Sequence, residues 1–246
     1  MRLEYRRALI TGAGQGIGRA CAEVFAERGA DLVLLDRNPE TLEIAVKAAM
    51  DRGSKVTALT LDLTDLESLE GKLDQACRDL PIDILVNNAG FDRPGTSARL
   101  EMSGFSEVLG IHLSVPLFLI KLFLPTMKAR KWGRIINVSS IYGLIGAKAE
   151  VAYSTAKAGL IGLTKSIARE AGPRGVTVNA VAAGLTRTPT IEKMMAEKYK
   201  QDIIIETPLG RMAEPEEIAR VIAFLASEDA SYITAAVIPV SGGWGI

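Results

Sequence analysis

Short β-branched runs alternate with helical patterns along the whole chain, and the runs are apolar without polar alternation. Strands are expected at Arg7 to Thr11, Asp31 to Asp36, Lys55 to Leu61, Ile82 to Val86, Gly133 to Val138, Val176 to Val181 and Ala236 to Val240. Helical patterns fill Gly16 to Arg28, Pro39 to Arg52, Asp65 to Asp79, Ser103 to Leu109, Ile111 to Arg130, Val151 to Ala171 and Pro215 to Ser227. Strands apolar on both faces belong to a parallel sheet buried under helices. Repeated βα units with short loops imply one α/β domain over residues 1–246, a doubly wound parallel sheet with helices on both faces. In such sheets ligands bind beyond the carboxyl ends of the strands.

Composition narrows the function classes. Lysine plus arginine and aspartate plus glutamate each number 29, so no basic excess points to nucleic acid or to an anionic membrane. Two cysteines and one histidine exclude a disulfide scaffold and a Cys/His zinc site, and no metal is expected. Cys21 and Cys77 fall in helical patterns and read as reduced thiols of a cytoplasmic protein. Met1 to Arg7 is too polar to open a signal peptide. The most apolar stretch, Ile111 to Pro125, is interrupted by Pro116 and Lys121 and falls short of the ~20 residues of a membrane span.

After the first strand comes Thr11-Gly12-Ala13-Gly14-Gln15-Gly16-Ile17-Gly18, and a helix opens at once. Glycines let the backbone approach a pyrophosphate, and the helix start supplies N–H groups and a positive dipole end. Asp36 ends the second strand, where a carboxylate accepts from ribose hydroxyls and repels a 2′-phosphate, so NAD is expected rather than NADP. Arg37 follows directly and could in principle face a phosphate. The third strand leads to Asp62 and Leu63, within reach of an adenine. The fourth ends in Asn87-Asn88-Ala89-Gly90, small enough to lie against the adenosine ribose, with amides able to tie neighbouring strands.

The fifth strand runs into Ser139-Ser140, and Tyr153 and Lys157 share one helix face. A free tyrosine titrates near pH ~10, and a lysine ammonium one turn away favours the phenolate. A serine hydroxyl can hold a carbonyl or alcohol oxygen beside the phenol. That set suits proton transfer at an oxygen coupled to hydride exchange with a nicotinamide.

These residues together resemble the classical short-chain dehydrogenase/reductase family over Arg7 to Gly243. The resemblance rests on Thr-Gly-x3-Gly-Ile-Gly at 11–18, Asn-Asn-Ala-Gly at 87–90, Ser140, Tyr-x-x-x-Lys at 153–157, Val178-Asn179-Ala180-Val181 with Gly184, and Gly242-Gly243. It implies a Rossmann-type oxidoreductase, usually a homotetramer. Ser140 would orient substrate, Tyr153 would be the acid/base, and Lys157 would bind the nicotinamide ribose and lower the tyrosine pKa. Thr186 and Thr188 match contacts to the nicotinamide carboxamide and the diphosphate.

Three departures stand out. His112 replaces the family's usual asparagine, and either its ring joins a proton relay or it is a buried neutral side chain. Ala182-Ala183-Gly184 stands where Pro-Gly is usual. Ala235-Ala236 stands where glycine is common, with no function read into it. The expected activity is NAD(H)-dependent oxidation or reduction of a small-molecule secondary alcohol or ketone. The alternatives are a 3-oxoacyl thioester reductase, a class that generally uses NADPH, and a non-catalytic dinucleotide sensor. Pocket walls are expected from Phe91 to Ser97, from an apolar loop Ile141 to Val151, and from a lid over about 185–211 with a helix at Thr190 to Lys200. Arg93, Lys148, Arg187 and Lys193 are the cations able to meet an anionic substrate. The helix face from Val151 to Ala168, with Trp244 and Ile246, is the apolar surface expected to be covered on assembly.

Overall fold

The computed structural model describes residues 1–77 and 81–246. The first half runs β1 (Arg7–Thr11), α1 (Gly16–Glu27), β2 (Asp31–Asp36), α2 (Pro39–Met50), β3 (Val56–Thr60), α3 (Leu66–Cys77) and β4 (Ile84–Asn87). The second runs α4 (Met102–Leu109), a π turn (Gly110–Ser114), α5 (Val115–Arg130), β5 (Gly133–Ser140), α6 (Tyr142–Ile145), α7 (Val151–Ala171) and β6 (Val176–Ala183). It closes with α8 (Pro189–Met194), α9 (Glu197–Glu206), α10 (Pro215–Leu225) and β7 (Val237–Val240). The end of the helix expected over Asp65 to Asp79 lies outside the described residues.

Among the described residues seven strands form one parallel sheet in the order β3-β2-β1-β4-β5-β6-β7. Successive side chains of a strand leave on opposite faces. Ile10 and Leu34 therefore pack under Phe25 of α1 and Ile222 of α10, while Leu9 and Val33 pack under Leu69 of α3 and Leu119 of α5. Both faces are buried, which is why the strands lack polar alternation. This is the doubly wound Rossmann-type architecture the sequence implies.

Two elements differ from expectation. The Ser103 to Leu109 and Ile111 to Arg130 patterns fuse through the π turn into one continuous helix, Met102–Arg130. By length and composition it is the one helix, among the described residues, able to cross a membrane, and half of its most apolar window is buried. Leu119, Phe123 and Met127 of this helix pack against the sheet, and Pro116 stands just after the π turn, where the i→i−4 ladder is already interrupted. The helix expected over Thr190 to Lys200 is two helices, broken at Met195 and Ala196.

Candidate active site

The carboxyl ends of the strands open on a cavity of about 1040 Å³. At one end, α1 starts at Gly16 with no side chain capping it and no acidic residue in its first turn. Gly12 (φ +64°) and Gly16 (φ +53°) take left-handed backbone. A Cβ at Gly12 would stand 2.9 Å from Ala89 Cα, and one at Gly16 would stand 3.0 Å from Thr188. The result is an uncapped helix start at the floor of a groove that side chains would fill, a cradle suited to a diphosphate. Gly12, Gln15, Gly16 and Ile17 line it.

Gly18 does not. A Cβ there would lie 2.0 Å from the Gly12 carbonyl oxygen, so this glycine serves the close approach of α1 to the turn rather than ligand contact. Asp36 lies at the rim, held by N–H groups of Gly14 (2.8 Å) and Asn38 (3.0 Å). Arg37, Asp62, Leu63, Asn88, Ala89 and Gly90 complete this end. The amides do tie strands together: Asn88 Nδ2 donates to the Thr11 and Gly12 carbonyls, at 3.0 and 3.2 Å. Asn87 Nδ2 donates to Asn137 Oδ1 at 2.8 Å, and Asn137 in turn to Thr164 of α7 at 2.9 Å. Asn137 and Thr164 had no motif to mark them.

At the other end Ser140, Tyr153 and Lys157 share the wall. Burial raises the Tyr153 pKa above its ordinary value, and the neighbouring Ser140 hydroxyl opposes this. Lys157 Nζ donates to the Val138 carbonyl at 2.7 Å, 5.4 Å from the phenol ring centre. Burial also holds the Lys157 ammonium down to about 7, against the pull of Asp92. His112, on the π turn, is buried with its ring edge 5.3 Å from the Tyr153 ring. Its Nε2 lies 2.9 Å from the Phe91 carbonyl, so Nε2 carries the hydrogen and donates it. Burial and the Lys157 charge push its pKa well below the ordinary value.

Gly184, Thr186 and Thr188 line the remaining side. Thr188 Oγ1 also caps α8, accepting from Ile191 N at 3.3 Å. The Ile141 to Val151 loop does not form the expected apolar wall: Ile141 is buried beneath it, Leu144 and Ile145 are exposed, and Tyr142 and Glu150 line the cavity. Trp244 is buried rather than left for assembly. It packs edge-on to Tyr142 and lines the cavity, with Nε1 donating to Glu206 at 3.1 Å. Among the described residues no three His, Cys, Asp or Glu side chains are grouped to hold a metal ion.

Residues 12–245 match the family profile described as enoyl-(acyl carrier protein) reductase. The chain is 38% identical over 244 residues to the 3-oxoacyl-(acyl-carrier-protein) reductase of Thermotoga maritima, covering 99% of each. The chain is a short-chain dehydrogenase/reductase. The solved levodione reductase superposes with a TM-score of 0.94 at 33% identity, covering 98% of each chain. The NAD+-bound xylitol dehydrogenase gives 0.92 at 30%, over 99% of this chain and 100% of that one. As a member of this family the chain is an oxidoreductase of CH–OH and keto groups that works with NAD(P).

Proposed function

We propose that this short-chain dehydrogenase/reductase interconverts a secondary alcohol and a ketone with NAD(H), with Tyr153 moving the proton at the substrate oxygen. The observation that carries the reading is a single cavity with Ser140, Tyr153 and Lys157 at one end and the Asp36 carboxylate at the other. A bound nicotinamide supplies the hydride exchange at carbon. Gly12, Gln15, Gly16 and Ile17 would hold its diphosphate, Asp36 the adenosine ribose, and Asp62 and Leu63 the adenine. Asn88, Ala89 and Gly90 would lie against that ribose, Tyr153 and Lys157 would meet the nicotinamide ribose, and Gly184, Thr186 and Thr188 its carboxamide side. Ser140 would fix the substrate oxygen beside the phenol. His112 is a positioning residue: its neutral ring holds the Phe91 carbonyl and fills the space over Gly90, where a Cβ would be 1.9 Å from the ring.

Residues 185–211 form a lid, braced within itself by Lys200 to Glu192 (2.8 Å) and tied to the cavity wall by Tyr199 to Tyr142 (3.0 Å). The enzyme is cytoplasmic, which suits two free cysteines. It is a homotetramer, for which Ile205, Leu209 and Ile246 offer exposed apolar surface. A second reading, a 3-oxoacyl thioester reductase, has the support of the relatives' names. Asp36 speaks against the NADPH expected of that class.

The test is Tyr153→Phe. Phenylalanine keeps the ring and removes the phenol proposed to move the proton, so turnover should fall by at least ~10²–10⁴-fold while NADH still binds. Turnover retained in this variant, with ketones or with 3-oxoacyl thioesters, would sink the reading.

A further inference from the structure

Tyr142 touches both the wall and the lid at the substrate end of the cavity. It opens α6, the short helix after β5, and its N–H donates to Ser140 Oγ at 3.1 Å. A hydroxyl has one hydrogen, so Ser140 accepts there and keeps its own O–H for another acceptor. α6 is seated closely on α7: a Cβ at Gly143 would stand 2.8 Å from the Lys157 carbonyl carbon. The Tyr142 backbone is thus fixed on the helix that carries Tyr153 and Lys157. Its ring lies edge-on to Tyr153, at 6.5 Å between ring centres, and to Trp244, at 5.5 Å.

The Tyr142 hydroxyl reaches the lid. It lies 3.0 Å from the hydroxyl of Tyr199 on α9. Burial raises the Tyr142 pKa above its ordinary value, so the phenol keeps its proton for that bond. Inside the lid, Lys200 Nζ bonds Glu192 of α8 and Glu197 of α9, both at 2.8 Å, and this makes the two helices one piece. Met195 and Ile203 of the lid pack into one apolar cluster with Tyr142 and Trp244. Apolar packing has no preferred direction, whereas a hydrogen bond between two hydroxyls does. On the dinucleotide side Gln15 Nε2 meets Thr190 Oγ1 at 3.3 Å, a longer bond.

We propose that Tyr142 is a positioning residue of this site: through Tyr199 its hydroxyl latches the lid to the wall that carries Ser140 and Tyr153, and this latch sets how fast the dinucleotide enters and leaves. The proposal rests on the oxidoreductase reading above and adds a residue to it. Both hydroxyls belong to the protein, so the tie holds the free and the loaded protein alike. A tie without preference between those two states does not change affinity. It slows entry and exit by one factor, set by the share of time the lid is free. A neutral hydrogen bond is worth about 2–10-fold in such an equilibrium. A residue that only touched the cofactor would change its dissociation alone.

The experiment follows NADH binding by stopped-flow fluorescence in the unmodified protein, in Tyr142→Phe, in Tyr199→Phe and in the double variant. Phenylalanine keeps each ring and its packing and removes one hydroxyl. Each single variant should raise the association and dissociation rate constants of NADH together by about 2–10-fold, with Kd held within about twofold. The double variant should gain no more than the larger single one, because one bond is lost only once. Tyr199 is exposed on the lid, so Tyr199→Phe reads the latch even where loss of the Tyr142 hydroxyl disturbs the wall. Unchanged rates in both single variants overturn the proposal. So does faster dissociation with unchanged association, the mark of a lost cofactor contact. Gains that multiply in the double variant overturn it too, since the two hydroxyls would then act separately. Failure of the unmodified protein to bind NADH at all overturns the oxidoreductase reading and this one with it; normal NADH binding at rates indifferent to both hydroxyls overturns only this one.

Discussion

Asp36 is held at the cavity rim by two backbone N–H groups, so its carboxylate keeps one orientation. In the proposed function Asp36 accepts from ribose hydroxyls and repels a 2′-phosphate, and alanine would remove both. Asp36→Ala should narrow the ratio of kcat/KM for NADH over NADPH by roughly tenfold or more, and paired kinetics with the two cofactors check this. His112 makes a different kind of prediction. Its pKa lies well below 6.5 in the fold, so it is neutral before the pH reaches 7. Lys157, lowered to about 7, loses its ammonium as pH rises through that value. NADH affinity should fall as pH rises through about 7, and the same profile should appear in His112→Asn. A shifted profile in that variant would put the imidazole in the proton path. Tyr153 and Lys157 were legible in the sequence because they stand one helical turn apart. Glu150, three residues before Tyr153 on the same face, carried a faint version of that signal.

Elements were legible where a single period ruled. β1, β2 and α7 fall where the pattern puts them, because burial on both sheet faces or along one helix stripe leaves a clean signature. The π turn was not, since widening a helix by one residue leaves the hydrophobic spacing nearly intact. Nor was Gly18's role, because a glycine that admits a neighbouring carbonyl and one that admits a phosphate look alike in sequence. Ala235 shows the reverse. Its place among family glycines was visible, and the backbone supplies the reason: φ is +60°, with its N–H donated to Val178 O at 2.8 Å. A left-handed alanine costs ~1–2 kcal/mol, and glycine returns part of that through unfolded-chain entropy, ~0.5–1 kcal/mol. Ala235→Gly should therefore stabilise the protein by up to about 1 kcal/mol, a rise in Tm of ~2–4 °C for a chain this size. A calorimetric scan of both forms decides it, and a fall in Tm would mean that the methyl packs more strongly than the strain costs.

For the molecule as a whole, the sequence revealed the layering and the sheet's ligand-binding edge but not how the cavity is finished. Trp244 looked like surface and proves to be wall, because nothing local in sequence tells a tryptophan which side of the chain's last turn it faces. Ile205, Leu209 and Ile246 are among the exposed apolar side chains that the proposed assembly would cover. Light scattering at micromolar concentration should read a homotetramer, and a monomer would refute it. The strand order carries a further consequence. β1 sits between β2 and β4, and its β4 partners, Ile84 to Val86, lie a long stretch of chain away from Ala8 to Ile10. Parallel pairings at such separation close late. Until then β3-β2-β1 presents an open, apolar edge in what will become the middle of the sheet, a template on which another chain's strand can add. Recovery from denaturant is thus a race between closing that edge internally and closing it with a neighbour, and dilution favours the first.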